Sequence, residues 1–137
     1  MIFVDTNVLL DLATDDPVWA GWSQHQLEAA SLRGPLAIND VVYAELGVGH
    51  ARIEALDAFV AGAGLRIEPM PRAALFLAGK AFGHYRRASR ANGGGRRGVL
   101  PDFFIGAHAS VLGAALLTRD VGRYRTYFPK LRLIAPN

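Results

Sequence analysis

The sequence predicts an α/β layer architecture built on a central, mainly parallel sheet of four to five strands. Short apolar runs alternate along the chain with longer segments whose apolar residues recur at helical spacing. The first of these runs, Ile2–Val4, is continuous rather than alternating in polarity, as in a strand buried on both faces of a parallel sheet. Strands that alternate with helices in this way are typical of parallel sheets covered by helices.

The predicted strands are short and are bounded by polar residues, glycines and prolines. They are Ile2–Val4, Leu36–Ile38, Leu65–Ile67, Ala114–Thr118 and Leu131–Ile134. Pro69 and Pro71 close the third strand, because proline cannot donate to a sheet ladder. We expect the last strand, which ends shortly before Pro136, to lie at an edge of the sheet.

The helix boundaries follow from capping residues, prolines and glycines. Asp5-Thr6-Asn7 supplies caps for a short helix that extends through Leu12. Asp15-Asp16-Pro17 marks a second start, because proline suits the first helical position, and this helix should end near Leu32. The remaining predicted helices begin at Asn39 or Asp40, Ile53, Arg72, Pro101 and Val121.

Length and composition restrict the class of protein. A chain of 137 residues predicts one domain with its own core. The absence of cysteine excludes a disulfide framework, thiolate zinc sites and cysteine nucleophiles. No apolar run is long enough to span a bilayer and no basic signal segment precedes the first strand, so we expect a cytoplasmic protein. The formal net charge of +3 favours a polyanionic partner such as nucleic acid.

Four carboxylates lie where predicted strands end or on faces that helices direct inward: Asp5, Glu45, Asp102 and Asp120. Asp5 and Asp120 follow predicted strands, and parallel sheets bind ligands at the carboxyl ends of their strands. Asp102 lies in the first turn of a helix, where the helix dipole favours its ionised form. Glu45 shares a helix face with apolar residues, so its carboxylate needs either a metal or a basic partner.

Oxygen ligands without cysteine or paired histidines suit Mg²⁺ or Mn²⁺ better than zinc. A site of this kind can activate water and stabilise charge on a phosphodiester. Each acid also has a purely structural alternative when it is considered alone. Asp5 and Asp102 could be helix caps, Asp120 a turn residue, and Glu45 the partner of an arginine. The coincidence of all four acids favours the metal site.

Four motifs, in order along the chain, carry a resemblance to a known family. They are Asp5-Thr6-Asn7, Ala44-Glu45-Leu46-Gly47, the segment from Pro101 to Ala109, and Thr118-Arg119-Asp120. Together with the C-terminal stretch from Tyr127 to Pro136, they make the chain resemble the PIN-domain ribonucleases, in particular VapC-type toxins of type II toxin–antitoxin systems. The resemblance covers the whole chain and implies a three-layer α/β/α PIN-like fold, with residues 1–137 forming a single PIN domain.

The resemblance also implies an activity and a set of residues. The chain would be a metal-dependent endoribonuclease, with Mg²⁺ or Mn²⁺ bound by Asp5, Asp102 and Asp120 and with Glu45 as a ligand or water-orienting base. Asn7 and Thr118 would orient the ligands or the substrate, although capping and strand-end hydrogen bonds are an alternative for both. The implied partners are RNA, a second copy of the chain in a homodimer, and a cognate VapB-type antitoxin.

Some relatives carry a further acidic or amide residue just after the last motif. This chain has Gly122, Arg123 and Tyr124 there, so the number of metal ions, one or two, stays open.

The densest basic patch lies shortly before Asp102. It comprises Arg86, Arg87, Arg90, Arg96 and Arg97. These side chains could bind RNA phosphates or a partner next to the metal site, or they could be a solvated surface without a dedicated role.

Two other functions compete with the nuclease. One is a PIN-like RNA-binding module that has lost catalysis. The other is a Mg²⁺-dependent phosphoacceptor signalling domain, which would need paired acids after the first strand and a lysine late in the chain. Asp5 is followed by Thr6, and Lys130 lies beyond the last of the four acids, so the sequence fits the signalling domain poorly.

Overall fold

A five-stranded sheet forms the centre of the protein in a computed structural model that describes residues 1–91 and 99–137. The strands are β1 (Ile2–Val4), β2 (Leu36–Ile38), β3 (Leu65–Ile67), β4 (Ala115–Leu117) and β5 (Leu133–Ile134). They pair in parallel in the order β3-β2-β1-β4-β5. The predicted α/β class and the mainly parallel sheet are therefore confirmed.

Helices cover the sheet in a three-layer α/β/α arrangement. They are α1 (Thr6–Ala13), α2 (Ala20–Ser31), α3 (Asp40–Gly47), α4 (Ile53–Gly62), α5 (Arg72–Ala91), α6 (Leu100–Leu112) and α7 (Gly122–Tyr127). No helix in the described part of the chain is long and apolar enough to cross a membrane.

The central strand β1 is apolar throughout and buried, as its continuous apolar sequence predicts. Phe3 pairs with Ala37 of β2 on one side and with Leu116 of β4 on the other. Because these strands are parallel, their carboxyl ends meet at one edge of the sheet. The Asp5 amide continues the ladder by donating to the Leu117 carbonyl, 2.9 Å away. The residues that follow β1 and β4 are thereby brought together.

Two of the predicted boundaries are wrong. The second helix begins at Ala20 and not at Pro17, because the Asp16 carboxylate accepts hydrogen bonds from the Val18 and Trp19 amides (2.9 and 2.8 Å) and caps a turn instead. The last strand begins at Leu133 and not at Leu131, whose amide bonds to the Phe128 carbonyl in a turn. Residues 92–98 lie outside the described residues.

The end of β2 is joined to α6 by a buried polar pair. The sequence left Asn39 or Asp40 as the start of this helix, and Asn39 caps α3 by accepting a hydrogen bond from the Val42 amide at 3.0 Å. Its side-chain nitrogen lies 3.3 Å from Nδ1 of His108, which is buried in α6 and packs against the ring of Phe3. The contact pairs the Asn39 amide with one ring nitrogen of His108 in the core and links the end of β2 to α6.

An aromatic cluster fills the space between α5, α6 and α7. Phe103 of α6 is its centre, with ring contacts to Phe82 and Tyr85 of α5 and to Tyr127 and Phe128 at the end of α7. Aromatic contacts of this kind bury large apolar areas and add a specific geometry to the packing. The cluster therefore fixes α7 beside the carboxyl end of β4.

We predict that Gly106→Ala destabilises the protein by about 1–3 kcal/mol, the usual cost of overpacking a core. A Cβ atom at Gly106 would lie 2.6 Å from the Phe128 ring and 3.1 Å from the Tyr124 ring, so α7 would have to move away from α6. The free energy of unfolding in urea measures the effect.

Gly79→Ala is the matched control. Gly79 lies in α5 with nothing within 4 Å of an added Cβ atom, so alanine should stabilise the helix by up to about 1 kcal/mol. Equal changes in the two variants would contradict the close packing of α6 against α7.

Candidate functional site

Asp5 lies at the carboxyl end of the central strand and is the N-cap of α1. Its side chain is almost fully buried, with a relative accessibility of 4%. Oδ1 accepts a hydrogen bond from the Thr6 amide, and Oδ2 accepts from the hydroxyls of Thr118 and Tyr124, each at 2.8 Å. Donors from α1, the end of β4 and α7 thus converge on one carboxylate.

Burial raises the pKa of Asp5 to about 6, and the negative charge of Asp102 contributes to the increase. The hydrogen bonds from Thr118 and Tyr124 oppose the shift but do not cancel it. Burial and the charge of Asp5 also raise the pKa of the Tyr124 hydroxyl, so Tyr124 stays a proton donor at neutral pH. The hydrogen bonds to the ionised Asp5 therefore do not replace all of the hydration that it loses on burial, and an added positive charge would stabilise it.

Three of the predicted ligands line one pocket of about 430 Å³, namely Asp5, Asp102 and Asp120. Asp5 forms the buried side of the pocket, Asp102 is partly buried in the first turn of α6, and Asp120 is exposed. The structure therefore brings together the residues that follow β1 and β4 with the start of α6.

Glu45 is not among the residues that line this pocket, but it lies close enough for Asp102 to affect it. Its Oε1 accepts a hydrogen bond of 2.6 Å from the Thr6 hydroxyl. Burial raises the pKa of Glu45, the Thr6 bond lowers it, and the charge of Asp102 raises it. Within residues 1–91 and 99–137 no arginine forms an ion pair with Glu45.

Thr118 and Asn7 connect the carboxylates through a short hydrogen-bond network. The Thr118 hydroxyl donates to Asp5 and accepts from the Asn7 side chain (3.2 Å) and from the Asp120 amide (3.2 Å). Asn7 Oδ1 in turn accepts from the Arg119 amide at 3.3 Å. These contacts give both residues the geometry of orienting groups, and their function in catalysis stays a prediction.

An ion pair that the sequence did not indicate holds the turn before Asp120. The Arg119 guanidinium donates two hydrogen bonds, of 2.8 and 3.0 Å, to the buried carboxylate of Asp11 in α1. The Ser23 hydroxyl of α2 donates to the same carboxylate at 2.8 Å, and the guanidinium also lies over the Trp19 ring. Bidentate pairs of this type impose geometry as well as energy.

Among the described residues that line the acidic pocket, Arg123 is the basic one. Its Nε lies 3.0 Å from Oδ2 of Asp102, and both side chains are partly buried. Arg123 and Tyr124 lie in the first turn of α7, three and four residues after Asp120, and all three residues line the same pocket. That spacing was the signal by which the sequence could have identified them.

The predicted basic patch is only partly described. Arg86, Arg87 and Arg90 lie on the exposed C-terminal half of α5, while Arg96 and Arg97 lie outside the described residues. Tyr85, on the same helix, lines the acidic pocket, so this end of α5 adjoins the carboxylates.

The donor set fits a hard divalent cation in its chemistry. All the side chains concerned offer carboxylate oxygens, and the negative charge of Asp102 adds to the burial that raises the pKa of Asp5. In the side-chain positions observed for the described residues, no three acidic or histidine groups stand close enough together to hold a metal ion. Asp102 is turned toward Arg123, so a cation bound by all three aspartates requires a side-chain rearrangement.

Comparison with protein families gives one match that covers most of the chain. The family model of the PIN domain matches residues 2–129. Among curated proteins, none is significantly similar in sequence.

Several solved structures have the same fold. VapBC2 from Rickettsia felis, bound to a DNA fragment from its promoter, has a TM-score of 0.71 and 22% identity, with 100% of both chains covered. A toxin–antitoxin complex from Klebsiella pneumoniae has a TM-score of 0.68 and 20% identity, covering 100% of this chain and 98% of that chain. VapBC-1 from nontypeable Haemophilus influenzae has a TM-score of 0.65 and 20% identity, with 98% of each chain covered. At these identities the likeness shows the fold.

We predict that the buried Asp5 makes the protein less stable as the pH rises. Because its pKa is raised from 3.8 to about 6, the folded state binds a proton that the unfolded state has lost. The stabilisation is fully present below pH 3.8 and is lost as the pH rises through about 6. Between pH 5 and pH 7 the loss should be on the order of 1 kcal/mol, measured by urea unfolding in a chelator.

Asp5→Asn isolates this contribution, because asparagine does not titrate. The variant should show a pH dependence that is smaller by about the same amount, so the difference between the two proteins removes the contributions of other groups. Identical pH profiles for the two proteins would show that burial does not raise the pKa of Asp5 in the folded protein.

Proposed function

This chain belongs to the PIN domain family, and on that premise we propose that it is a metal-dependent endoribonuclease. It hydrolyses RNA phosphodiester bonds and is the toxin of a VapBC-type toxin–antitoxin system. The observation that carries the proposal is that three aspartates line one pocket and that one of them, the buried Asp5, has a raised pKa. Such strained groups cluster at functional sites, because catalysis needs charge where folding alone would avoid it.

Asp5, Asp102 and Asp120 are the residues that would hold Mg²⁺ or Mn²⁺. When bound, a divalent cation supplies an electrophile for the phosphodiester and the means to activate a water molecule. Thr118 and Tyr124 keep Asp5 in one orientation, with one oxygen accepting both hydroxyls. A carboxylate oriented in this way needs little rearrangement when the cation binds.

Glu45 is suited to accept a proton in this reaction. It is half-buried next to Asp102, and its pKa is raised above that of an ordinary glutamate. A base works best when its pKa lies closer to the working pH, so the shift is in the useful direction. The Thr6 hydroxyl, which donates to Oε1, positions the carboxylate.

The RNA would approach along the basic end of α5. Arg86, Arg87 and Arg90 are exposed there, and Tyr85 of the same helix lines the pocket that contains the aspartates. Arginines that flank an acidic catalytic pocket attract the phosphates which the acids repel. This arrangement supports a polyanionic substrate, and the net charge of +3 agrees with it.

A VapB-type antitoxin and a homodimeric assembly complete the proposal. The structures that share the fold are described as VapBC proteins and as a toxin–antitoxin complex. The absence of cysteine fits a protein that acts in the reducing cytoplasm.

The phosphoacceptor alternative finds less support at the site. It requires a lysine next to the acids, and no lysine is among the described residues that line the pocket. Lys130 is exposed in the turn after α7. The RNA-binding module without catalysis stays an alternative that experiment decides.

We predict that the purified protein cleaves RNA in the presence of Mg²⁺ or Mn²⁺ and that Asp102→Asn and Asp120→Asn each reduce the rate by about 100-fold or more, because each removes a charged group from the site. Cleavage of total RNA, resolved on denaturing gels with and without a chelator, measures the effect. Glu54→Gln is the matched control, since this exposed carboxylate lies in the first turn of α4 and does not line the pocket.

Cleavage at equal rates by the wild type and both aspartate variants would place the activity elsewhere. A wild type that binds RNA but cuts none, with either cation, would favour the RNA-binding module.

We also predict that replacing Arg86, Arg87 and Arg90 by glutamine weakens RNA binding and flattens its dependence on salt. Removing one arginine–phosphate interaction should lower the slope of log affinity against log salt by about 0.7 for single-stranded RNA. Filter binding in a chelator, which prevents cleavage, measures both quantities. A variant in which Arg33, Arg52 and Arg66 are replaced carries the same charge change at exposed positions in other elements and should bind nearly as the wild type does.

A further inference from the structure

We propose that Arg123 is a positioning residue that holds Asp102 away from the metal and competes with the divalent cation for this carboxylate. The ion pair and the metal site would then be mutually exclusive states of the same side chain. This inference rests on the proposed function in so far as it takes Asp102 as a metal ligand.

The geometry of the pair is the first support. Arg123 Nε donates to Asp102 Oδ2 at 3.0 Å, with relative side-chain accessibilities of 22% for the arginine and 31% for the aspartate. Both residues line the pocket that also contains Asp5 and Asp120. A pair in such a partly enclosed position is screened less by solvent than one on the open surface.

The anchoring of Arg123 is the second support. Its neighbour Tyr124 is buried against the core and donates its hydroxyl to Asp5, so the position of α7 is fixed at this point. A guanidinium whose backbone is fixed loses less freedom when it forms an ion pair. Arg125, two residues further along the same helix, is exposed and does not line the pocket.

The charge balance is the third support. Three aspartates line the pocket, and Glu45 lies near them, whereas Arg123 is the basic residue among the described lining residues. No three acids in the described residues have side chains placed to hold an ion, and Asp102 is the one in contact with a cationic side chain. A cation that binds all three aspartates requires their side chains to move, and a movement of Asp102 breaks its contact with Arg123. The free energy of this contact then opposes the binding of the cation.

The first test measures the pair without metal. Urea unfolding in a chelator is compared for the wild type, Asp102→Asn, Arg123→Gln and the double variant, which forms a double-mutant cycle. We expect a favourable coupling between the two side chains that disappears at saturating Mn²⁺. Additive effects without metal would overturn the inference and leave the proposed function untouched.

The second test measures the affinity for Mn²⁺ by titration calorimetry. Arg123→Gln should bind Mn²⁺ about fivefold more tightly than the wild type, the equivalent of losing one partly exposed ion pair. Arg123→Lys keeps the charge and should stay closer to the wild type. In the Asp102→Asn background, Arg123→Gln should change the affinity for Mn²⁺ little, because Arg123 no longer has the Asp102 carboxylate to pair with.

Arg125→Gln is the matched control, since it removes the same charge from the same helix. Equal tightening in Arg123→Gln and Arg125→Gln, or tightening that persists in the Asp102→Asn background, would show a general charge effect and overturn the inference. If neither the wild type nor any variant binds Mn²⁺, the proposed metal site falls and the inference falls with it.

Discussion

The burial of the Asp5 carboxylate at the end of the central strand is the constraint on which the rest of this structure depends. Removing a carboxylate from water is costly unless hydrogen bonds or a cation replace the lost hydration. Thr6, Thr118 and Tyr124 supply donors from α1, the end of β4 and α7. Those donors meet only if β4 lies beside β1 and α7 packs against α6, where Gly106 leaves room for the rings of α7. The sheet order and the position of the last helix are therefore tied to one acid.

The hydrogen-bond donors replace only part of the hydration that Asp5 loses on burial. The remaining cost lowers the stability of the folded protein at the same pocket to which we assign the function. Asp102 adds a second negative charge, which raises the pKa of Asp5, and it also raises the pKa of Glu45. A protein selected for stability alone would not gather like charges in one pocket, and functional sites commonly carry such strain. Arg123 offsets part of this negative charge through its ion pair with Asp102. Under the proposed function, a divalent cation offsets the remaining negative charge.

A second buried carboxylate shows the contrasting solution. Asp11 is paired in bidentate fashion with Arg119 and also accepts a hydrogen bond from Ser23, so the protein itself supplies the compensating charge there. Removing either partner of such a pair would leave an uncompensated buried charge. The pair connects α1 and α2 to the turn that carries Asp120. The charge of Asp11 is therefore compensated by an arginine, whereas the hydrogen-bond donors of the described residues that contact Asp5 carry no charge.

Local patterns in the sequence were enough for the α/β class, the positions of the strands and the caps at Asp5 and Asn39, because these depend on periodicity and on hydrogen bonds that span a few residues. The order of the motifs was enough to indicate the family. Pairing across elements was not accessible in this way. Arg123 and Asp102 are 21 residues apart and Arg119 and Asp11 are 108 apart, so both contacts exist only because the sheet order brings their elements together. The tertiary structure decided that Asp11 pairs with Arg119 and Asp102 with Arg123, because charge compensation depends on distance in space and not along the chain.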